Sequence, residues 1–139
     1  MAADRVALAA ILDGLGRYQE SERHYRTTLR IYAREYGPDH LENAVILNNL
    51  GELCRATGRT RRAEFYYNSA LKIKRRELGD SHPDVAVTMN NLGMLYIELG
   101  RSGLARVYLQ DALQILKAAL GTRHLRTRAV RENSKRFAP

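Results

Sequence analysis

The stretch from His82 to Gly121, HPDVAVTMNNLGMLYIELGRSGLARVYLQDALQILKAALG, decides the fold because the chain before it repeats the same pattern. Gly16, Gly58 and Gly100 follow one another at a 42-residue interval, and no insertion breaks it. Further residues that keep this interval are Leu29, Leu71 and Leu113, Gly37, Gly79 and Gly121, and His40, His82 and His124. An internal repeat of roughly 20 to 50 residues is typical of solenoids and repeat arrays. The sequence therefore predicts one supersecondary unit that is used three times and begun again at His124.

Each copy of this unit has the pattern of two helices. No segment alternates polar and apolar residues as a strand does, whereas apolar residues recur at helical intervals along nearly the whole chain. Glycine and proline, as in Gly37-Pro38, mark the helix ends. We predict helices over about residues 1–13, 18–36, 41–56, 61–78, 83–99, 102–120 and 125–137.

Length and composition favour one cytoplasmic domain. The chain has 139 residues, of which 45% are hydrophobic, enough to bury a core. It has no apolar run near the roughly 18 residues that cross a bilayer, and no secretory signal at its start. Its single cysteine, Cys54, can form neither an internal disulfide nor a multi-thiolate metal site, so we expect a small buried group there. No cofactor is predicted.

The predicted first helix carries the run VALAAIL between Val6 and Leu12, without a polar residue. A helix that is apolar all round is normally buried all round. We therefore expect either a preceding repeat outside this chain or a second subunit to pack here. In the second case the chain is a homodimer that associates through Val6, Ala7 and Ala10.

Residues at fixed offsets within the copies resemble a known family signature. In the third copy they are Leu92, Gly93, Tyr96, Gly100, Ala105, Leu109 and Ala112. This pattern resembles the tetratricopeptide repeat, in which L-G-x-x-Y is followed by alanine, a large apolar residue and alanine. Cys54 replaces the tyrosine in the second copy, and the first copy is degenerate. The repeat exceeds the usual 34 residues, and its connectors look like those of the kinesin light chain-like branch.

This resemblance implies an all-α fold, a right-handed α-solenoid of three helix-turn-helix units plus a C-terminal capping helix. The whole chain, 1–139, would form a single domain. Its repeats would span about residues 1–40, 41–82 and 83–124, and its capping helix about residues 125–137.

The resemblance also implies a peptide-binding groove floored by the leading helix of each pair. The implied groove residues are Asn48, Asn49, Glu52, Arg55, Asn90, Asn91, Met94, Asn133 and Arg136. An asparagine just before the Leu-Gly pair commonly contacts the ligand main chain in peptide-binding members, and Asn49 and Asn91 match that position. Amides suit this task because they both donate and accept hydrogen bonds. The alternative for Asn48 and Asn90 is that they bond to neighbouring helices and set the repeat spacing.

These observations predict a non-catalytic adaptor that binds a peptide segment of another protein, acidic or partly apolar. The net charge is +8, and six basic residues against Glu132 follow Gly121, which favours acidic partners. No catalytic motif is present. His40, His82 and His124 lie in successive connectors, too far apart to share a metal ion, so we expect them to cap or pack helices.

One alternative function is a self-assembly scaffold that acts through the apolar first helix. Weak nucleic-acid binding is a further alternative. It would use two basic rows, which are Arg59, Arg61 and Arg62 and then Lys72, Lys74, Arg75 and Arg76.

Overall fold

Seven α-helices make up nearly all of the chain. The computed structural model describes residues 2–137, with side chains from Asp4 to Arg136. The helices are α1 (Ala2–Gly14), α2 (Tyr18–Tyr36), α3 (Leu41–Ala56), α4 (Thr60–Leu78), α5 (Pro83–Glu98), α6 (Ser102–Leu120) and α7 (Leu125–Ser134). No strand occurs among these residues, so the predicted all-α repeat fold is confirmed. The last predicted helix is shorter than expected, because a 3₁₀ turn over Lys135–Phe137 replaces its final turn.

The connectors explain where the helices begin and end. Gly121 follows α6 with φ of 88°, a left-handed conformation that a side chain would strain, so the helix stops there. The next helix begins where a histidine supplies an acceptor for an otherwise unpaired backbone N–H. In α5, the backbone N–H of Asp84 donates to Nδ1 of His82 at 3.0 Å. His40 and His124 cap α3 and α7 in the same way.

The described residues form two compact units, with a boundary between Ile73 and Lys74, inside α4. In the first unit, α2 packs against both α1 and α3. Its core is an apolar cluster contributed by these three helices, with Ala9, Tyr25, Tyr32, Ile46, Leu50 and Leu53 as its buried members. The hydroxyl of Ser21 also donates to the carbonyl of Ala9 at 2.7 Å, which fixes α2 beside α1.

The second unit is built from the end of α4 together with α5, α6 and α7. Helix α6 packs against both α5 and α7. The side chains of Leu92, Leu95, Leu109 and Leu116 are fully buried there, and Val130 of α7 is nearly so. The assignment of the whole chain to a single domain stays a prediction.

One glycine in each unit lets two helices approach closely. An added Cβ at Gly51 would lie 2.6 Å from the ring of Tyr67, and one at Gly93 would lie 2.7 Å from Cγ of Leu109. Real Cβ atoms almost never approach other heavy atoms this closely. Glycine is therefore required at both positions by packing, since neither has an unusual backbone conformation.

Candidate functional site

In the first unit, the candidate site is one face of α3. Asn48, Asn49, Glu52 and Arg55 are all half-buried, whereas the neighbouring Leu50, Leu53 and Cys54 are fully buried. Helix α3 thus has a half-buried polar face and a fully buried packed face. Cys54 lies in the packed face, where burial raises the pKa of its thiol and keeps it in the protonated, unreactive form.

A hydrogen bond from α4 fixes the side chain of Glu52. The hydroxyl of Tyr67, which is fully buried on α4, donates to Oε1 of Glu52 at 2.6 Å. Burial raises the pKa of the Tyr67 phenol far above its ordinary value, and the Glu52 carboxylate adds to this effect, whereas Arg55 opposes it. The phenol therefore remains a donor at every physiological pH, and Glu52 presents a carboxylate of fixed orientation at the surface.

In the second unit, the candidate site brings together amides from two helices. Nδ2 of Asn133 on α7 donates to Oδ1 of Asn90 on α5 at 3.0 Å. Asn91 and Met94 are half-buried on the same helix as Asn90, and Arg136 is exposed on the turn after α7. Asn90 therefore makes the kind of bond to a neighbouring helix that its alternative structural role requires, and its contact with a ligand stays a prediction. The two side chains form one amide pair, which sequence reasoning had treated as separate positions.

The histidines serve as helix caps. His40, His82 and His124 each accept a backbone N–H through Nδ1, in agreement with the predicted structural role. Among the residues with described side chains, no group of three or more His, Cys, Asp or Glu is placed to hold a metal ion.

The basic rows proposed for nucleic acid are not continuous. Glu22 lies beneath the first row, and its carboxylate contacts Arg59 at 2.9 Å and Arg62 at 4.0 Å. The hydrogen bond from Arg59 holds the pKa of Glu22 below its ordinary value. In the second row, Lys74 is 7% exposed and cannot reach a phosphate. Arg59 and Lys74 are therefore engaged within the fold, and nucleic-acid binding through the remaining residues of these rows stays a prediction.

The sequence pattern placed Lys74 in an exposed basic row and did not indicate that it is buried. Its Nζ donates to the hydroxyl of Thr88 at 2.8 Å and lies 3.5 Å from the carbonyl oxygen of Asp84. Burial lowers the pKa of this amine. The repeat register could have indicated this burial. Lys74 is equivalent to Tyr32 and Leu116, and Thr88 is equivalent to Ile46 and Val130. A lysine and a threonine thus replace two apolar residues at one of three equivalent contacts.

Helix α1 is only partly buried. Ala9 and Leu12 lie in the core and Val6 packs against it, whereas Ala7 and Ala10 are exposed. Within this chain α2 and α3 cover only one side of the helix, so the burial of its other side by a preceding repeat or a second subunit stays a prediction. Leu8 and Ile11 are exposed instead. Of the predicted self-association residues, Val6 is therefore already engaged within the chain.

None of the helices in the described part of the chain has the length and apolar character that crossing a bilayer requires. A comparison with curated protein sequences gives no match.

Several solved structures have similar folds. BtubC (BKLC) from P. vanneervenii is 26% identical, with a TM-score of 0.77 over 97% of this chain and 62% of that one. A Podosopora anserina protein described as a kinesin light chain with nearly identical TPR-like repeats is 19% identical, with a TM-score of 0.86 over 96% of this chain and 64% of its own. The N-terminal domain of stress-induced protein-1 from C. elegans is 13% identical, with a TM-score of 0.70 over 97% and 92%.

The chain thus spans less than two thirds of the first two structures. The model of the tetratricopeptide repeat family matches residues 2–76 and 66–118 of this chain. Proteins with this fold generally mediate protein–protein interactions, and the family is typically non-catalytic. The match covers most of the chain and agrees with the 42-residue helix pairs, so the protein belongs to the tetratricopeptide repeat family, in the long-repeat form seen in kinesin light chain-like proteins.

Proposed function

We propose that this protein is a non-catalytic adaptor that binds a peptide segment of another protein along the polar faces of its leading helices. The observation that carries this proposal is the amide pair formed by Asn90 and Asn133 at 3.0 Å. The pair uses one donor of Asn133 and one acceptor of Asn90, so each amide retains hydrogen-bonding capacity. Both side chains are half-buried, which leaves part of each accessible to a ligand.

The chemistry of the two faces suits an extended peptide backbone. A peptide that is not in a helix or a sheet has unpaired N–H and C=O groups, and the amides of Asn49 and Asn91 offer partners for both. Met94 adds a flexible apolar contact beside the amides of the second unit, and Arg136 adds a positive charge. The second unit therefore favours a segment that is apolar near Met94 and acidic near Arg136. The adaptor is proposed to work in the cytoplasm, where a reduced thiol such as Cys54 is stable.

A titration with synthetic peptides tests this proposal. Ten-residue peptides, acidic, neutral and basic, each with and without a leucine anchor, are titrated against the whole chain by fluorescence anisotropy. We expect the acidic peptide with the anchor to bind best. Loss of one hydrogen bond is worth about 1 kcal/mol, so Asn91→Ala should weaken binding about fivefold or more.

Asn68→Ala is the matched control, because Asn68 is exposed on α4 and outside both faces. Its affinity should equal that of the wild type. Equal affinities for the wild type and Asn91→Ala would remove Asn91 from the site. Tight binding of the basic peptide alone would contradict the proposed acidic preference.

A further inference from the structure

The helices α3, α5 and α7 all begin after a histidine, and the three histidines occupy equivalent positions of the repeat. Nδ1 of His40, His82 and His124 accepts the backbone N–H two residues further on, at 3.2, 3.0 and 3.1 Å. His40 and His124 are exposed and His82 is half-buried, so protons from solvent reach all three rings. Each cap therefore depends on a group that can change its charge.

The cap requires a neutral imidazole. A ring nitrogen that accepts a hydrogen bond carries no proton, whereas both nitrogens of the imidazolium are donors. Protonation at Nδ1 therefore sets one donor against another and leaves the backbone N–H without its acceptor. It also places a positive charge at the N-terminus of the helix, where the macrodipole disfavours it. Histidine gains this charge between about pH 8 and pH 5, so the cap is lost in mild acid.

We propose that the three capping histidines form an acid-sensitive device, which loosens the first turns of α3, α5 and α7 as the pH falls below about 6.5. The folded chain takes up these protons only by giving up its caps, whereas the unfolded chain takes them up freely. The unfolded chain therefore binds more protons in mild acid, and the free energy of unfolding falls as the pH falls. Asparagine and serine, which are common caps, do not titrate in this range.

The neighbours of His82 make its cap the least sensitive of the three. Oδ2 of Asp84 lies 3.9 Å from Nδ1 of His82, so a protonated His82 has an ion pair that offsets part of the lost cap. This carboxylate also contacts Arg126 of α7 at 3.4 Å, and Nζ of Lys74 on α4 lies 3.5 Å from the backbone carbonyl of the same residue. Both cations reduce the compensation that Asp84 provides without removing it.

The other two caps have less compensation. The ring of His40 lies 5.1 Å from that of Tyr36 on α2, between ring centroids, so a protonated His40 gains a cation–π contact. Its capped N–H belongs to Glu42, which adds a carboxylate in the same turn. The capped N–H of α7 belongs instead to Arg126, and the described residues contain no ion pair of His124. Protonation of His124 thus meets only like charge in this turn, and α7 is the most acid-sensitive of the three helices.

The sensitivity of α7 bears on the second unit as a whole. This helix has ten residues, whereas α3 and α5 each have sixteen, so the loss of one turn removes a larger share of it. Asn133 of α7 donates to Asn90 of α5, and Val130 packs into the core. Fraying of α7 from its first turn therefore weakens the attachment of the amide pair to the unit.

A triple variant, His40→Asn, His82→Asn and His124→Asn, tests the device without any ligand. Asparagine caps helices at every pH used, so the variant keeps its caps in acid. Urea unfolding of both proteins is followed by circular dichroism between about pH 8 and pH 5.5. Each cap is worth about fivefold in the folding equilibrium constant, so the ratio of this constant in the wild type to that in the variant should fall at least tenfold over this range. A ratio that stays constant with pH would overturn the proposal.

Single variants locate the effect. His124→Asn should remove the largest share of the pH dependence, and His82→Asn the smallest. His24→Asn is the matched control, because His24 lies inside α2 and caps no helix, so this variant should keep the pH dependence of the wild type. Loss of the pH dependence in His24→Asn would overturn the assignment to the caps.

Nuclear magnetic resonance of the wild type supplies a second measurement that needs no variant to fold. The amide protons of Glu42, Asp84 and Arg126 donate to the three rings. Their resonances should move towards the positions of unbonded amides as the rings titrate. Amide resonances that do not respond to ring protonation would overturn the proposal.

Discussion

Gly93→Ala tests whether close helix packing sets the geometry of the second unit. The added Cβ would lie 2.7 Å from Cγ and 2.8 Å from Cδ2 of Leu109, which is fully buried. Because Cγ is the branch point of the side chain, rotation of the terminal methyl groups does not relieve the contact. Forcing a methyl group into a packed core costs about 1–3 kcal/mol, and we expect the upper part of this range. Alanine returns about 1 kcal/mol through its higher helix propensity.

The net expectation is that Gly93→Ala lowers the free energy of unfolding by about 1–2 kcal/mol. Urea unfolding followed by circular dichroism measures this change. Gly103→Ala is the control, because a Cβ at Gly103 meets no atom within 4 Å and the residue also lies in a helix. The control should be as stable as the wild type or up to about 1 kcal/mol more stable. A Gly93→Ala variant with wild-type stability would refute the packing argument.

Three further predictions concern the second unit. Thr88→Val removes the hydroxyl that pairs with Nζ of Lys74 and should cost about 2–3 kcal/mol in urea unfolding, whereas adding Lys74→Met to Thr88→Val should restore at least the wild-type stability. Because burial lowers the pKa of Lys74 in the folded state, the unfolded chain binds more protons than the folded chain just below pH 10.5. The free energy of unfolding of the wild type should therefore rise with pH in this range, relative to that of Lys74→Met. A difference in unfolding free energy between the two proteins that does not change with pH would contradict this. His82→Ala should lower the free energy of unfolding by about 1 kcal/mol because it removes the cap of α5. His82→Asn should retain most of the stability in thermal unfolding, since asparagine also caps helices. Equal losses of stability in the two variants would show that capping is not the role of His82.

The fold could be predicted from the sequence because the three copies of the repeat place the same residue types at the same positions. The predicted bounds of α2, α3 and α6 agree with the structure, since helical periodicity ends in each case at a glycine or at a turn next to one. The histidine caps were expected from their place in the connectors. The end of α7 was not predicted, because nothing in the residue pattern distinguishes a final α-helical turn from a 3₁₀ turn.

The site was harder to predict, because it depends on which neighbour each side chain meets. The repeat register put Asn90 and Asn133 at equivalent levels of their helices, but the bond between them depends on the packing of α7 against the rest of the second unit. Lys74 lies in a run of basic residues, and composition alone indicates a solvated row. Only comparison with Tyr32 and Leu116 shows that this position is a core position.

The bond between Lys74 and Thr88 restricts how a gene for this protein could change its number of repeats. Excision of residues 83–124 would join His82 directly to Leu125 and preserve every cap and connector. It would also place Lys74 opposite Val130 instead of Thr88, so that the ammonium group would lose the hydroxyl of Thr88 and face an aliphatic side chain. The copies have the same length and the same helix pattern, yet the helix that follows Lys74 must supply a hydroxyl at the position of Thr88. Recombination that removes this hydroxyl would therefore be disfavoured at this single contact.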